Sequence, residues 1–233
     1  AAQLDLPIHT HLHETTAEVE ESLRLHGMRP LQRLRRLGLL NPALIAAHGV
    51  HLEPDELLLL AEQGVSIAHC PTSNMKLASG IAPIASAVAQ GINVGLGTDG
   101  AASNNRLDMF QEMRHAALLA KVHARDAAAL PAHQVLRMAT LNGANALGLG
   151  DRIGSLLPGK EADLCAVRLD EWIVQPCFDP VSHIVYVAGR EHVSHVWVSG
   201  KERLIDATLV EQDMTKLMDI AALWQNSVSA KNA

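Results

Sequence analysis

The run Val94-Gly95-Leu96-Gly97-Thr98-Asp99-Gly100-Ala101-Ala102-Ser103-Asn104-Asn105 decides how the rest of the chain is read. It starts inside an apolar stretch, Ile92 to Leu96, of the kind that forms a strand buried on both faces. The stretch leads to a single carboxylate, Asp99, followed by small residues that cannot shield it. In parallel α/β architectures ligands bind at the carboxyl ends of strands. Asp99 is therefore a candidate metal ligand or general base. Read alone, it could equally cap the next helix; the histidines upstream favour chemistry.

Working outward, Ile8 to His11, Leu44 to Ala47 and Val65 to His69 repeat the pattern. Each is a short strand-like run ending at a titratable residue: His11, His48 and His69. Helical stretches separate them. One starts at Thr15 or Thr16, with Thr16-Ala17-Glu18-Val19 approximating a capping box. Others start at Pro30 and Pro54, where proline suits a first helical turn. Ile84 to Gln90, Leu107 to Val122 and Pro131 to Leu147 are expected to be helical too, whereas Cys70 to Asn74 is expected to be a loop. This alternation calls for a parallel sheet covered by helices. After Gly150, glycines and Pro158 punctuate β-type runs at Leu164 to Leu169, His183 to Ala188 and His192 to Ser199, with no helix expected among them. The expected organisation is residues 1–150 with the chemistry, 151–205 as a small β-sandwich portion, and 206–233 as a helix, from about Leu209, and tail.

Composition narrows the function classes. Nearly half of the 233 residues are hydrophobic, enough for a sizeable core, and the formal net charge is −6. An acidic balance argues against nucleic-acid or anionic-membrane partners. No apolar run of about 18 residues is present to span a membrane. Three scattered cysteines, Cys70, Cys165 and Cys177, suit reduced thiols and a cytoplasmic protein. Domains seldom open on a core strand that carries chemistry, so further residues are expected before Ala1.

The densest chemical cluster is His9-Thr10-His11-Leu12-His13-Glu14. If the extended backbone persists, His9, His11 and His13 share one face. Imidazoles suit zinc or iron, and a nearby carboxylate can move protons. His48 is as readily a buried structural histidine as a functional one. His69 and Cys70 point to opposite faces of a strand and are read as structural or supporting groups. Ser73, Asn74, Ser103, Asn104 and Asn105 are mostly read as turn-closing residues. No phosphate-binding glycine motif and no G-x-S-x-G is present.

The ordered set His11-Leu12-His13-Glu14-Thr15, Ala47-His48-Gly49-Val50-His51, His69-Cys70-Pro71-Thr72-Ser73-Asn74-Met75-Lys76-Leu77, Gly97-Thr98-Asp99-Gly100-Ala101-Ala102-Ser103-Asn104-Asn105 and Gly159-Lys160-Glu161-Ala162-Asp163-Leu164 closely resembles the amidohydrolase superfamily. The resemblance is to its 5-methylthioadenosine/S-adenosylhomocysteine deaminases and related chlorohydrolases, and runs from Ile8 to about Arg203. It implies a (β/α)8 TIM barrel with one divalent metal ion, zinc first and iron second, plus a β-sandwich. This chain would supply the C-terminal half, strands five to eight. By the same resemblance His11 and Asp99 are metal ligands, Glu14 shuttles a proton to a purine ring, His48 polarises the attacking water, and Asp99 takes its proton. Glu14, His48 and Asp99 would also contact substrate. The strand-one H-x-H and substrate-reading residues of such enzymes have no counterpart here. The chain alone is therefore expected to be incomplete and inactive. The implied reaction is hydrolytic deamination of an adenine nucleoside by a homo-oligomer. Guanine deaminase, triazine chlorohydrolase or a metal-free relative are the alternatives.

Overall fold

The computed structural model describes residues 6–229. Four strands, β1 (Ile8–Leu12), β2 (Leu44–His48), β3 (Ser66–His69) and β4 (Val94–Leu96), form a parallel sheet in chain order. The register sets Leu12 beside His48 and His69 beside Leu96, so the strands finish at a common edge. β2 is buried over its full length, and Leu44, Ala46, Ile67 and Val94 are among the core residues it shares with its neighbours. Apolar side chains on both faces require cover on both faces. Around the sheet lie α1 (Thr16–His26), α2 (Pro30–Arg36), α3 (Pro54–Glu62), α4 (Pro71–Lys76), α5 (Ile84–Ala89), α6 (Met109–Ala124), α7 (Ala132–Ala139) and α8 (Leu141–Ala146).

Several expectations are corrected. The residues after His69 form a helix, α4, because Pro71 pre-sets the first turn and Ser73 and Asn74 turn inward, fully buried. The single helix expected from Pro131 to Leu147 breaks at Thr140, whose φ and ψ are −128° and −98°. The break lets α8 lie against β4. Asn142 Nδ2 donates to the Val94 carbonyl at 3.1 Å, and Asn93 Nδ2 to the Asn142 carbonyl at 3.0 Å. The contact is so close that a Cβ on Gly95 would stand 3.1 Å from the Gly143 Cα. Two glycines let the backbones meet there.

The run His183 to Ala188, expected to be a strand, lies mostly in helix α9 (Pro180–Tyr186). Asp179 caps it by accepting the Val181 N–H at 3.1 Å, and Pro180 opens its first turn. Val185 and Ala188 are fully buried where this segment packs on α6 and α7. Tertiary burial overrides the β-propensity of a Val/Ile/Tyr run. The remaining strands, β5 (Leu164–Val167), β6 (Val193–Val198), β7 (Lys201–Ile205) and β8 (Thr208–Leu209), form one antiparallel sheet in chain order. A last helix, α10 (Met214–Ser229), begins five residues later than expected, beyond β8. Among the described residues no helix is long and apolar enough to cross a membrane.

Candidate metal centre

The common edge of the parallel sheet collects strained backbone. His13, His48 and Asp99, each at or just past a strand end, have φ of +52°, +72° and +60°. The left-handed region costs a residue other than glycine about 1–3 kcal/mol and persists only where surroundings impose it. Here it turns the chain sharply as each strand emerges from the core. At His48 and Asp99 it brings the side chains back over the sheet edge.

One ligand atom each from His11, His48 and Asp99 lies within 4.8 Å of the others. Among the described residues no other trio of His, Cys, Asp or Glu gathers so closely. The His11 and His48 rings stack with centroids 5.3 Å apart and planes 12° from parallel. Two imidazoles and a carboxylate are donors that suit zinc or iron. Bonds of about 2.0–2.2 Å put donors on one ion at most about 4.4 Å apart, so atoms within 4.8 Å of one another would close slightly around it.

Asp99 is oriented by hydroxyls. Ser73 and Ser103 both donate to its Oδ2, at 2.6 and 2.7 Å, which leaves Oδ1 free of them. Desolvation works against its ionisation. The hydrogen bonds from the two serine hydroxyls and the Gly100 N–H outweigh that and hold the carboxyl below its ordinary value. His48 is buried, and its Nδ1 lies 2.8 Å from Asn74 Oδ1. Its Nε2 lies 3.7 Å from Glu14 Oε2.

Glu14 is placed by the start of α1. Thr15 is the N-cap and accepts the Glu18 N–H at 3.1 Å, one residue earlier than the expected box. The Glu18 carboxylate in turn accepts the N–H groups of His13 and Glu14, at 3.1 and 2.7 Å. A local capping signal thus fixes the loop that carries Glu14.

His9, His11 and His13 do not share a face. The extension stops at Leu12, and His13 turns under the sheet edge, fully buried. There its Nε2 accepts the Leu31 N–H at 3.1 Å, satisfying a free donor in the first turn of α2. Arg29 lies 3.0 Å from its Nδ1 and grips Glu56 with two bonds, of 2.8 and 2.9 Å. Burial lowers the His13 pKa, as an acceptor role requires. His69 is buried too; desolvation, then His48, pushes it down to about 3. Burial, then Asp99, pushes the Cys70 thiol up to about 12, so it is protonated and inert at neutral pH.

Residues expected to close turns support the site instead: Ser73 and Ser103 hold Asp99, Asn74 partners His48, and Asn104 binds Glu112, a residue with no place in the sequence expectations. Glu112, fully buried on α6, accepts from the Thr72 N–H at 3.1 Å and from Asn104 Nδ2 at 2.8 Å. It ties the start of α4 to the loop after β4. An acid inside a helix stretch has no local signal of burial; only a break in the polar stripe at Met113, Ala116 and Ala117 hints at it.

Known proteins resemble this chain over most of its length. A 5-methylthioadenosine/S-adenosylhomocysteine deaminase of Teredinibacter turnerae is 46% identical over 231 residues, which is 99% of this chain and 52% of that protein. A 5'-deoxyadenosine deaminase of Methanothermobacter thermautotrophicus is 48% identical over 93% of this chain and 50% of its own length. An adenosine deaminase from Xanthomonas campestris, solved with bound zinc, matches at TM-score 0.97 and 50% identity, over 99% of this chain and 52% of that one. Atrazine chlorohydrolase from Arthrobacter aurescens, complexed with zinc, matches at TM-score 0.90 and 31% identity, over 96% and 49%. The chain spans about half the length of the relatives it matches. Residues 1–203 match the Amidohydrolase family, and the chain belongs to that family.

Proposed function

We propose that this chain carries the C-terminal half of a (β/α)8 barrel, strands five to eight, and part of the active site of an adenine-nucleoside deaminase. Residues 151–205 would form a β-sandwich portion, to whose sheet Thr208–Leu209 of β8 adds, and 206–233 a terminal helix and tail, of which 230–233 lie outside the described residues. The observation that carries the reading is the close triangle of His11, His48 and Asp99 with Glu14 beside it. Relatives named as deaminases of 5-methylthioadenosine, S-adenosylhomocysteine and 5'-deoxyadenosine supply the substrate class.

His11 and Asp99 would hold one divalent ion, zinc before iron. The ion's contribution when bound is Lewis acidity, which brings the ionisation of water into the neutral range. The residues of this chain do the rest. His48 orients the attacking water at its Nε2, and Asp99 takes the proton that water loses. Glu14 protonates the ring nitrogen beside the carbon that bears the amine, where electron density collects as water adds. Asp99 returns its proton to the amine, which leaves as ammonia, and the new hydroxyl gives up its proton to Glu14 as the carbonyl forms, so both carboxyl groups are restored. The reading extends to a cytoplasmic homo-oligomer acting on a small nucleoside.

The test is ammonia release by the intact protein from 5-methylthioadenosine, S-adenosylhomocysteine, adenosine and guanine, with a chlorinated triazine as the fifth arm. Turnover of an adenine nucleoside is expected, together with its loss in Asp99→Asn. Turnover of guanine or the triazine alone would support the neighbouring activities, for which the fit to atrazine chlorohydrolase speaks. Intact protein without tightly bound metal by elemental analysis, and inactive on all five, would mark a non-catalytic relative.

A further inference from the structure

Asn74 sits on α4, which contributes no member of the donor triangle, and its amide is almost wholly buried. Its Oδ1 lies 2.8 Å from His48 Nδ1, while its own Nδ2 is buried with no hydrogen-bond partner. An unpaired amide donor in the interior costs stability, and an apolar side chain of the same shape would avoid the cost. Packing therefore does not explain an asparagine here. Its neighbour Ser73 donates to Asp99 Oδ2 at 2.6 Å, so consecutive residues of one short helix hold two members of the triangle. The helix is itself anchored: Glu112 takes the Thr72 N–H, and Lys76 Nζ donates to the Ala102 carbonyl at 2.7 Å.

We propose that Asn74 is a positioning residue, which accepts the His48 Nδ1–H and so fixes the ring tautomer that presents a bare Nε2 to the cleft. The inference rests on the deaminase reading for its consequence, since only an unprotonated Nε2 can accept a hydrogen bond from the attacking water. In the other tautomer Nε2 would be a donor and would compete for the water's lone pair. Held from Nδ1 by a neutral acceptor, the ring keeps one orientation and one set of roles.

The experiment uses the intact protein labelled with 15N-histidine, and the variants Asn74→Leu and Asn74→Asp. In the unmodified protein, at a pH where the ring is neutral, His48 should show the Nδ1–H tautomer, assigned by its absence in His48→Gln. Asn74→Leu should mix the tautomers and lower kcat about 10–100-fold with KM within about twofold. Its melting temperature should be unchanged or higher. Asn74→Asp keeps the acceptor and should restore the Nδ1–H tautomer. An Nε2–H tautomer in the unmodified protein would overturn the proposal. So would unchanged kcat in Asn74→Leu, or a kcat loss that follows a lowered melting temperature. If Asn74→Leu does not fold, the unmodified spectrum and Asn74→Asp still decide. If no substrate is turned over by the unmodified protein, the deaminase reading fails by itself, and a tautomer lost on removing Asn74 still supports the positioning role.

Discussion

β2 is buried from Leu44 to His48, whereas β7 is exposed over Lys201 to Arg203 and half-buried only at Leu204 and Ile205. Along β2 neither face can hold a charge, so polar side chains gather where the strands emerge. That is where His11, His48 and Asp99 meet. In the antiparallel sheet polar groups lie along the strand, with Lys201, Glu202 and Arg203 exposed in succession. There His195 stacks on Trp197 at 5.4 Å, and among the described residues no metal-binding trio forms. Burial of the strands, more than abundance of histidine, concentrates the chemistry.

The strongest challenge to this contrast is Asp99→Asn. It should cut kcat/KM of the intact protein by about 10³-fold, within the range of general acid–base groups. Near-normal turnover would remove the reaction from this sheet edge. Glu14→Gln should follow at about 10²-fold, mainly in kcat, because only protonation of the ring nitrogen is lost. A fall confined to KM would give Glu14 a binding role alone.

Other tests separate stability from chemistry. His13→Ala leaves the Leu31 N–H unpaired and a hole at the start of α2. It should cost about 2–3 kcal/mol by denaturant melts. A neutral result would mean that α2 does not need that acceptor.

Stability should also fall on acidification from about pH 6.5 towards 3. Native His69, pushed down to about 3, stays neutral while the unfolded chain takes up a proton near 6.5. The unfolded state binds more protons in that window, so stability rises with pH across it and is lost as pH drops. His13 pulls the same way. His69→Gln should flatten this limb, read as the urea midpoint against pH. The smallest effect belongs to the other sheet: Trp197→Ala should cost about 1 kcal/mol, with kinetics unchanged. A change in kcat there would erase the contrast between the two regions.

Much of this was legible because local physics wrote it. Apolar runs ending at His11, His48 and His69 and before Asp99, prolines at helix starts and a threonine-led start of α1 are short-range features, and each maps to an element within a few residues. His13 was misjudged because alternation holds only while the backbone stays extended, and its φ of +52° ends that. The strand expected at His183 to Ala188 failed because a β-branched run in a site walled by α6 and α7 buries itself as a helix.

By itself, then, the sequence determined the alternation of strand and helix, the common edge and the residue types waiting there, since period and capping act over a few residues. Tertiary structure alone decided which histidine faces the cleft and which holds up a helix. It also decided that Asn74 meets His48 across 26 residues of chain and that Glu112 meets Thr72 across 40. Those pairings depend on how buried surfaces close on one another, and no local pattern of polarity encodes a partner that far away.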